Sequence, residues 1–270
     1  MTLIDRQKVR QSFSRQAAEY DEAARVQQRV IDRFRQQYLA GAAAPGFVLD
    51  IGCGTGRLLA VLRQDFPDAL LCGVDLAFGM AAQSRQRLAD RDNSLCVCAP
   101  AERLPFPDAS FDLVISTSTY QWVEALAPAF AEVKRVLKPG GRFCLALFGE
   151  RTLIELRESY RHALAVTGSD RPDRSHRFAT VAELAAALDM AGFTGVAAAS
   201  ETEIEQHRDV PELLRSLKKI GAGNASVLPG GGLTGRRFML AMTEYYRRCY
   251  GGAGGITATY EVLYGSGVKG

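Results

Sequence analysis

The stretch Val48-Leu49-Asp50-Ile51-Gly52-Cys53-Gly54-Thr55-Gly56 limits what this chain can fold into more than any other. Phe47 to Ile51 has the length and apolar character of a buried strand. Glycines then fall at alternate positions, and Arg57-Leu58-Leu59-Ala60-Val61-Leu62 reads as a helix. A strand that breaks into a glycine turn and then a helix opens a nucleotide-binding α/β domain. Glycine lets the backbone approach a ligand closely. The helix start adds free N–H groups and partial positive charge. A plain tight turn is the simpler reading of G-x-G-x-G alone. The dinucleotide pattern would need a glycine at position 57, which is Arg57.

The rest of the chain predicts the sheet that such a turn needs. Strands are expected at 70–74, 95–98, 111–116, 142–148, 193–204 and 256–264. Helices are expected at 77–89, 128–137, 152–166, 180–191, 210–220 and 234–250. Strands alternating with helices imply a mostly parallel sheet covered on both faces. Thr180 with Glu183 three residues on reads as a capping box. Lys138-Pro139-Gly140-Gly141 is expected to stop a helix. Ahead of the sheet lie a helix over 5–19 and a second amphipathic helix from Asp21 to Ala40, with Val26, Val30, Phe34 and Tyr38 on one face. These two are too short for a domain and must pack against the sheet and its helices. Loops are expected at 41–46, 168–177 and from 221 to 233.

At 270 residues and 47% hydrophobic, the chain suits one domain with insertions. We read 1–45 as a helical cap, 46–150 as a ligand-binding half, and 151–270 as a second half with helical insertions at about 151–178 and 206–252. No apolar stretch is long enough to span a membrane, and the charged N-terminus does not read as a signal peptide. The six cysteines form no C-x-x-C pair and the three histidines lie far apart, so no metal site is expected. Buried free thiols in a reducing cytoplasm are the simplest reading. Net charge is +3, but residues 206–250 hold eight basic residues against three acids. That uneven patch suits an acidic partner, or else a solvated helix surface.

Ligands in such sheets sit beyond the carboxyl ends of the strands. Asp75 closes the second strand, and a carboxylate there can accept hydrogen bonds from a ribose diol. By itself it identifies a ribose, not a cofactor. Asp50 ahead of the glycines, Ala101-Glu102-Arg103-Leu104-Pro105-Phe106, Phe111 to Ser116, and Leu137 to Gly141 resemble the motifs of class I S-adenosylmethionine-dependent methyltransferases. The resemblance implies a Rossmann-like α/β fold: a seven-stranded, mostly parallel sheet with an antiparallel last strand and helices on both faces. It assigns S-adenosylmethionine to Asp50, Gly52, Cys53, Gly54, Gly56, Asp75, Leu76, Met80, Ala101, Glu102 and Ser116. Many relatives carry an acid just before the alanine; here that position is Pro100, so only backbone contacts carry over around Ala101 and Glu102.

The flanks resemble one family within that class. Tyr20-Asp21, Gln121-Trp122, Thr152 to Arg157, Leu217 to Ala222, Gly232 to Arg236 and Ala258 to Gly265 are similar to the malonyl-acyl-carrier-protein O-methyltransferases of biotin synthesis, over nearly the whole chain. That resemblance implies methyl esterification of the free carboxyl of a malonyl thioester. Such a carboxylate is ionised at neutral pH and needs no general base. No Ser-His-Asp or Cys-His set is apparent. The task left to the protein is alignment and exclusion of water.

Arg157 is the expected carboxylate anchor, because a guanidinium can grip both oxygens. A surface pair with Glu155 is its alternative. Tyr20 is expected to close the pocket and Gln121 and Trp122 to line it, unless the aromatics are simply core. Arg215, Lys218, Lys219, Arg236 and Arg237 are expected to meet an acidic carrier protein, while Phe238, Met242, Tyr245 and Cys249 face inward. The competing readings are a methyltransferase for a free small acid or an aromatic ring, and a non-catalytic S-adenosylmethionine-binding or carrier-protein-binding module. A nucleic-acid enzyme fits poorly, since net charge is small and no recognised nucleic-acid module is present.

Overall fold

A computed structural model describes residues 5–39, 44–89, 93–168, 176–222 and 233–270. The expected loops at 41–46, 168–177 and 221–233 fall largely outside the described residues. The strands are β1 (Phe47–Ile51), β2 (Leu70–Asp75), β3 (Ser94–Cys98), β4 (Phe111–Thr117), β5 (Leu137–Phe148), β6 (Thr194–His207), the two-residue β7 (Gly251–Gly252) and β8 (Gly255–Val268). Their order across the sheet is β3-β2-β1-β4-β5-β8-β6, with β7 paired to β8. β1 to β5 run parallel, and β8 is antiparallel to both β5 and β6. The chain steps outward from β1 to β3 and then returns to place β4 on the other side of β1. That reversal opens a crevice beyond the carboxyl ends of β1 and β4.

The period-two pattern of each strand explains why both faces are covered. On β5, Cys144, Ala146 and Phe148 point into one core cluster; Phe143, Leu145 and Leu147 point into the other. The first core is closed by α3 (Arg25–Phe34), α4 (Arg57–Asp65), α7 (Ile154–Thr167), α9 (Val210–Lys219) and α10 (Leu233–Tyr250). The second is closed by α6 (Leu126–Val136) and α8 (Val181–Met190). Phe130, Val133 and Val136 of α6 are fully buried there. A buried phenylalanine of this kind is worth about 3–5 kcal/mol against alanine. The capping box forms as the sequence indicates: the Glu183 N–H donates to Thr180 Oγ1 at 3.1 Å and Thr180 N–H to Glu183 Oε2 at 2.9 Å.

Several local expectations give way to tertiary contacts. The helix expected from Asp21 to Ala40 is broken into α2 (Tyr20–Ala23), α3 and a π-helical turn at Arg35–Leu39, behind α1 (Arg6–Gln16). The break falls at Ala24, which leaves the helical region with ψ 48° and is itself buried. Asp21, just before it, is drawn away to Thr55 and Arg87. α6 ends at Val136, just ahead of Lys138 to Gly141 as expected, but those residues run straight into β5, where Gly140 N–H donates to the Lys269 carbonyl at 2.8 Å. On α10 the inward residues are Phe238, Met242 and Tyr246; Cys249 is exposed and Tyr245 half-buried. Cys98 is exposed too, so only Cys53, Cys72 and Cys144 are buried thiols.

Candidate active site

At the end of β1, Gly52 N–H and Cys53 N–H both donate to the Val74 carbonyl, at 2.6 and 3.0 Å, and pin the turn to β2. Gly52, Gly54 and Gly56 all have positive φ, which favours glycine, but each serves a different end. A Cβ on Gly52 would strike Thr119, 1.9 Å from Oγ1; one on Gly56 would strike Ser84, 2.5 Å from Oγ. A Cβ on Gly54 would meet nothing within 4 Å and would project into open space. Gly52 and Gly54 both line the main cleft, but of the three glycines only Gly54 would aim a Cβ into open space. Gly56, expected at the cofactor, instead lets α4 start close beneath α5 (Phe78–Arg87).

Asp75 binds the turn to its surroundings. One carboxylate oxygen accepts from Gly54 N–H at 3.0 Å, the other from Ala77 N–H at 2.8 Å. These donors stabilise the ionised form, but burial outweighs them and raises Asp75 to about 6. Asp50, buried beneath the turn, is pushed well above the carboxylate range, first by burial and then by Asp75. Ser116 does not reach the crevice: it is fully buried and its hydroxyl donates to the Ile51 carbonyl at 2.7 Å. Its neighbours Thr117, Ser118 and Thr119 line the cleft instead, with Ser118 held at φ 55°.

The main cleft, of ≈ 790 Å³, runs from the glycine turn past Asp75, Leu76 and Met80 to Ala101 and Glu102. It is roofed by α1 and α2 through Val9, Phe13 and Tyr20. Three latches hold that roof. Arg6 pairs with Glu102 across the far end at 2.8 Å. Gly79 N–H donates to Ser14 Oγ at 2.9 Å, and a Cβ on Gly79 would strike the Ser14 carbonyl. Thr55 Oγ1 donates to Asp21 at 2.7 Å, with Arg87 bridging both. None was legible locally, because each joins positions 32 to 96 residues apart.

A second cleft, of ≈ 470 Å³ and mostly apolar, shares Phe13, Tyr20, Ser118 and Trp122 with the first. Gln121, Phe148, Thr152, Leu153, Phe178, Leu217, Ile220 and Tyr260 are among its other lining residues. Tyr20 is raised above the usual phenol range by burial, then by Asp75 and Asp21, so it stays a neutral donor. His176, which sequence reasoning passed over, accompanies this wall: its Nε2 lies 2.8 Å from the Gln121 carbonyl and its ring 5.1 Å from Trp122. Burial, aided by Arg157, lowers its pKa, so the ring is neutral at pH 7. Arg157 stands over the Phe178 ring at 6.0 Å and donates to the Glu150 carbonyl. Glu155 is buried and accepts from Thr259. Arg215, Lys218, Lys219, Arg236 and Arg237 are exposed. Those of α9 lie on the side opposite Leu217 and Ile220, which wall the second cleft.

Fold and cleft together define a class I S-adenosylmethionine-dependent methyltransferase, and a methyltransferase-domain family matches residues 49–145. The YcgJ protein from Bacillus subtilis has the same fold, with a TM-score of 0.59, 21% identity, and 86% of this chain and 94% of that one covered. So does the phosphoethanolamine N-methyltransferase 2 of Haemonchus contortus, solved with S-adenosylhomocysteine, at a TM-score of 0.54, 20% identity, and 91% of this chain and 52% of that one covered. A malonyl-[acyl-carrier protein] O-methyltransferase from Geobacter sulfurreducens is 50% identical over 99% of this chain and 100% of its own length. The chain belongs to the malonyl-[acyl-carrier protein] O-methyltransferase family. The cofactor is S-adenosylmethionine, and the open space over Gly54 beside the Asp75 carboxylate fits its ribose and chain.

The following outcomes are expected from this geometry. Gly54→Val places a branched side chain into that space and should abolish S-adenosylmethionine binding by calorimetry, while circular dichroism shows the fold retained. If Asp75 holds the ribose, it would accept the hydroxyls best when ionised, so affinity should fall as pH drops through about 6. In the free protein the sign is opposite: the raised pKa favours folding below 3.8, and that contribution is lost as pH rises through about 6. Asp75→Asn should bind more weakly and with a flatter pH profile, by about 1.5–3 kcal/mol at neutral pH if a charge-assisted bond is lost.

Proposed function

We propose that this protein transfers the methyl group of S-adenosylmethionine to the free carboxylate of malonyl-acyl-carrier protein, giving the malonyl methyl ester that primes biotin synthesis. The observation that carries the reading is the wall of Phe13, Tyr20, Ser118 and Trp122 shared by the two clefts, which supports adjoining sites for a donor and an acceptor. Full-length likeness to the Geobacter sulfurreducens enzyme supports the acceptor's identity. The cofactor supplies an electrophilic methyl on a sulfonium. The chain supplies positioning: Asp75 holds the ribose, and the roof of α1 and α2 excludes water.

A malonyl carboxylate arrives ionised, so no side chain must remove a proton. The protonated Tyr20 accords with that, since a phenol held above its usual range is not tuned as a base at pH 7. For the anchor we retain Arg157, one ring behind the cleft wall at Phe178. A guanidinium behind that ring would match the charge of the acceptor beside a mostly apolar cleft. The partner is read as an acidic carrier docking on the exposed cations of α9 and α10, which would steer its approach beside the second cleft. The division into cap, cofactor half and substrate half is proposed on the same grounds.

The test is incubation with labelled S-adenosylmethionine and malonyl-, succinyl- or acetyl-carrier protein, with products identified by mass. Methyl ester on malonyl and none on acetyl is expected; labelling of neither dicarboxylate overturns the reading. Arg157→Ala should lower kcat/KM for malonyl-carrier protein at least about tenfold, or about 1.4 kcal/mol, with cofactor affinity spared. Lys218, Lys219 and Arg236 changed together to Glu should raise KM for the carrier substrate at low salt. That effect should shrink at higher salt, where screening acts over roughly 8 Å.

A further inference from the structure

Two cysteines converge beneath the cofactor turn. Cys53, between Gly52 and Gly54, is buried and bends back over β2, its sulfur 2.8 Å from where a Cβ on Gly73 would stand. Gly73 is paired in register with Cys96 on β3. The missing side chain at Gly73 leaves room for the Cys53 sulfur on β2 beside the position that Cys96 occupies on β3. Ser84 of α5, packed against Gly56, approaches the same sulfur at 3.1 Å. The turn, β2, β3 and α5 thus meet around two thiols, of which Cys96 is half-buried and Cys53 buried. The Cys53 thiol, the Ser84 hydroxyl and the charges of Arg85 and Arg63 draw Cys96 down to about 7 against the effect of burial. Cys53 is raised, first by the same contact and then by burial. A half-buried cysteine with thiolate character beside a second, buried thiol is the arrangement of a reactive and a resolving cysteine.

We propose that Cys96 and Cys53 form a peroxide-reactive pair whose closure into a disulfide displaces the glycine turn and weakens binding of the methyl donor. This rests on the assignment of that turn to the cofactor. The Cys96 thiolate attacks one oxygen of hydrogen peroxide; the O–O bond breaks, the leaving hydroxide takes a proton to become water, and Cys96 becomes a sulfenic acid. The Cys53 sulfur then attacks the Cys96 sulfur. An S–S bond forms, the S–O bond breaks, and the departing hydroxide leaves as water with the Cys53 proton. Overall two thiols lose two electrons to one peroxide, and two waters form. The S–S bond is about 2.05 Å, well inside thiol–thiol contact. Cys96 is fixed by the pairing of β3 on β2, so the movement falls on residue 53. It would carry Gly54 N–H away from Asp75, to which it now donates at 3.0 Å.

The experiment titrates full-length protein with hydrogen peroxide, maps cross-links by non-reducing peptide mass spectrometry and measures S-adenosylmethionine affinity by calorimetry. Reduced protein must bind first; if it does not, the cofactor assignment fails rather than this pair. A Cys53–Cys96 cross-link, an affinity loss of at least about tenfold and recovery with dithiothreitol are expected. Cys96→Ser, with Cys96→Ala as a second variant, should bind normally when reduced and resist peroxide. Cys53→Ser should leave a sulfenic acid on Cys96 trapped by dimedone. No cross-link between these two, undiminished affinity in the cross-linked protein, or equal peroxide sensitivity in the Cys96 variants would overturn the proposal.

Discussion

The rest of the site depends on the two hydrogen bonds that Asp75 accepts from the backbone, one from Gly54 and one from Ala77. They join the end of β2 to the turn after β1 on one side and to the start of α5 on the other. A turn with three positive-φ glycines has little conformational preference of its own. The carboxylate supplies the missing constraint, and the Val74 carbonyl adds to it by accepting from both Gly52 and Cys53. Burial makes the constraint costly, as the elevated pKa of Asp75 shows, yet the side chain still lines the cleft.

The roof turns this crevice into an enclosed site. α1 and α2 touch the sheet domain through polar contacts that each fall on a functional segment: Glu102 beside the far end of the cleft, Gly79 at the start of α5, Thr55 in the glycine turn. Exposed pairs such as Arg6–Glu102 are worth little singly, about 0–1 kcal/mol. Their weight comes from acting together with the aromatic contacts of Phe13, 6.2 Å from Tyr20 and 5.7 Å from Trp122. Phe13 is thereby the one side chain of α1 that faces both clefts. Closing the roof and shaping the acceptor side are the same packing event, which suits a reaction driven by alignment rather than proton transfer.

Much of this was determined by sequence alone. Strand, glycine turn and helix, the alternating sheet order, the capping box at Thr180 and Glu183, and Asp75 at a strand end are local patterns of period, spacing and residue type. They survive because both faces of the sheet are buried, so a slip of one residue would expose a whole set of apolar side chains. Only the tertiary structure decided which glycine faces open space, since that depends on Thr119 and Ser84 arriving from other elements. It also decided that Ser116 serves the β1–β4 contact while Ser118 turns to the cleft, and that the helix after Tyr20 breaks at Ala24. His176 beside Trp122, Arg6 on Glu102 and Asp21 on Thr55 belong to the same category. Their energies come from partners tens of residues away, and the periodicity of a single segment carries no record of such partners.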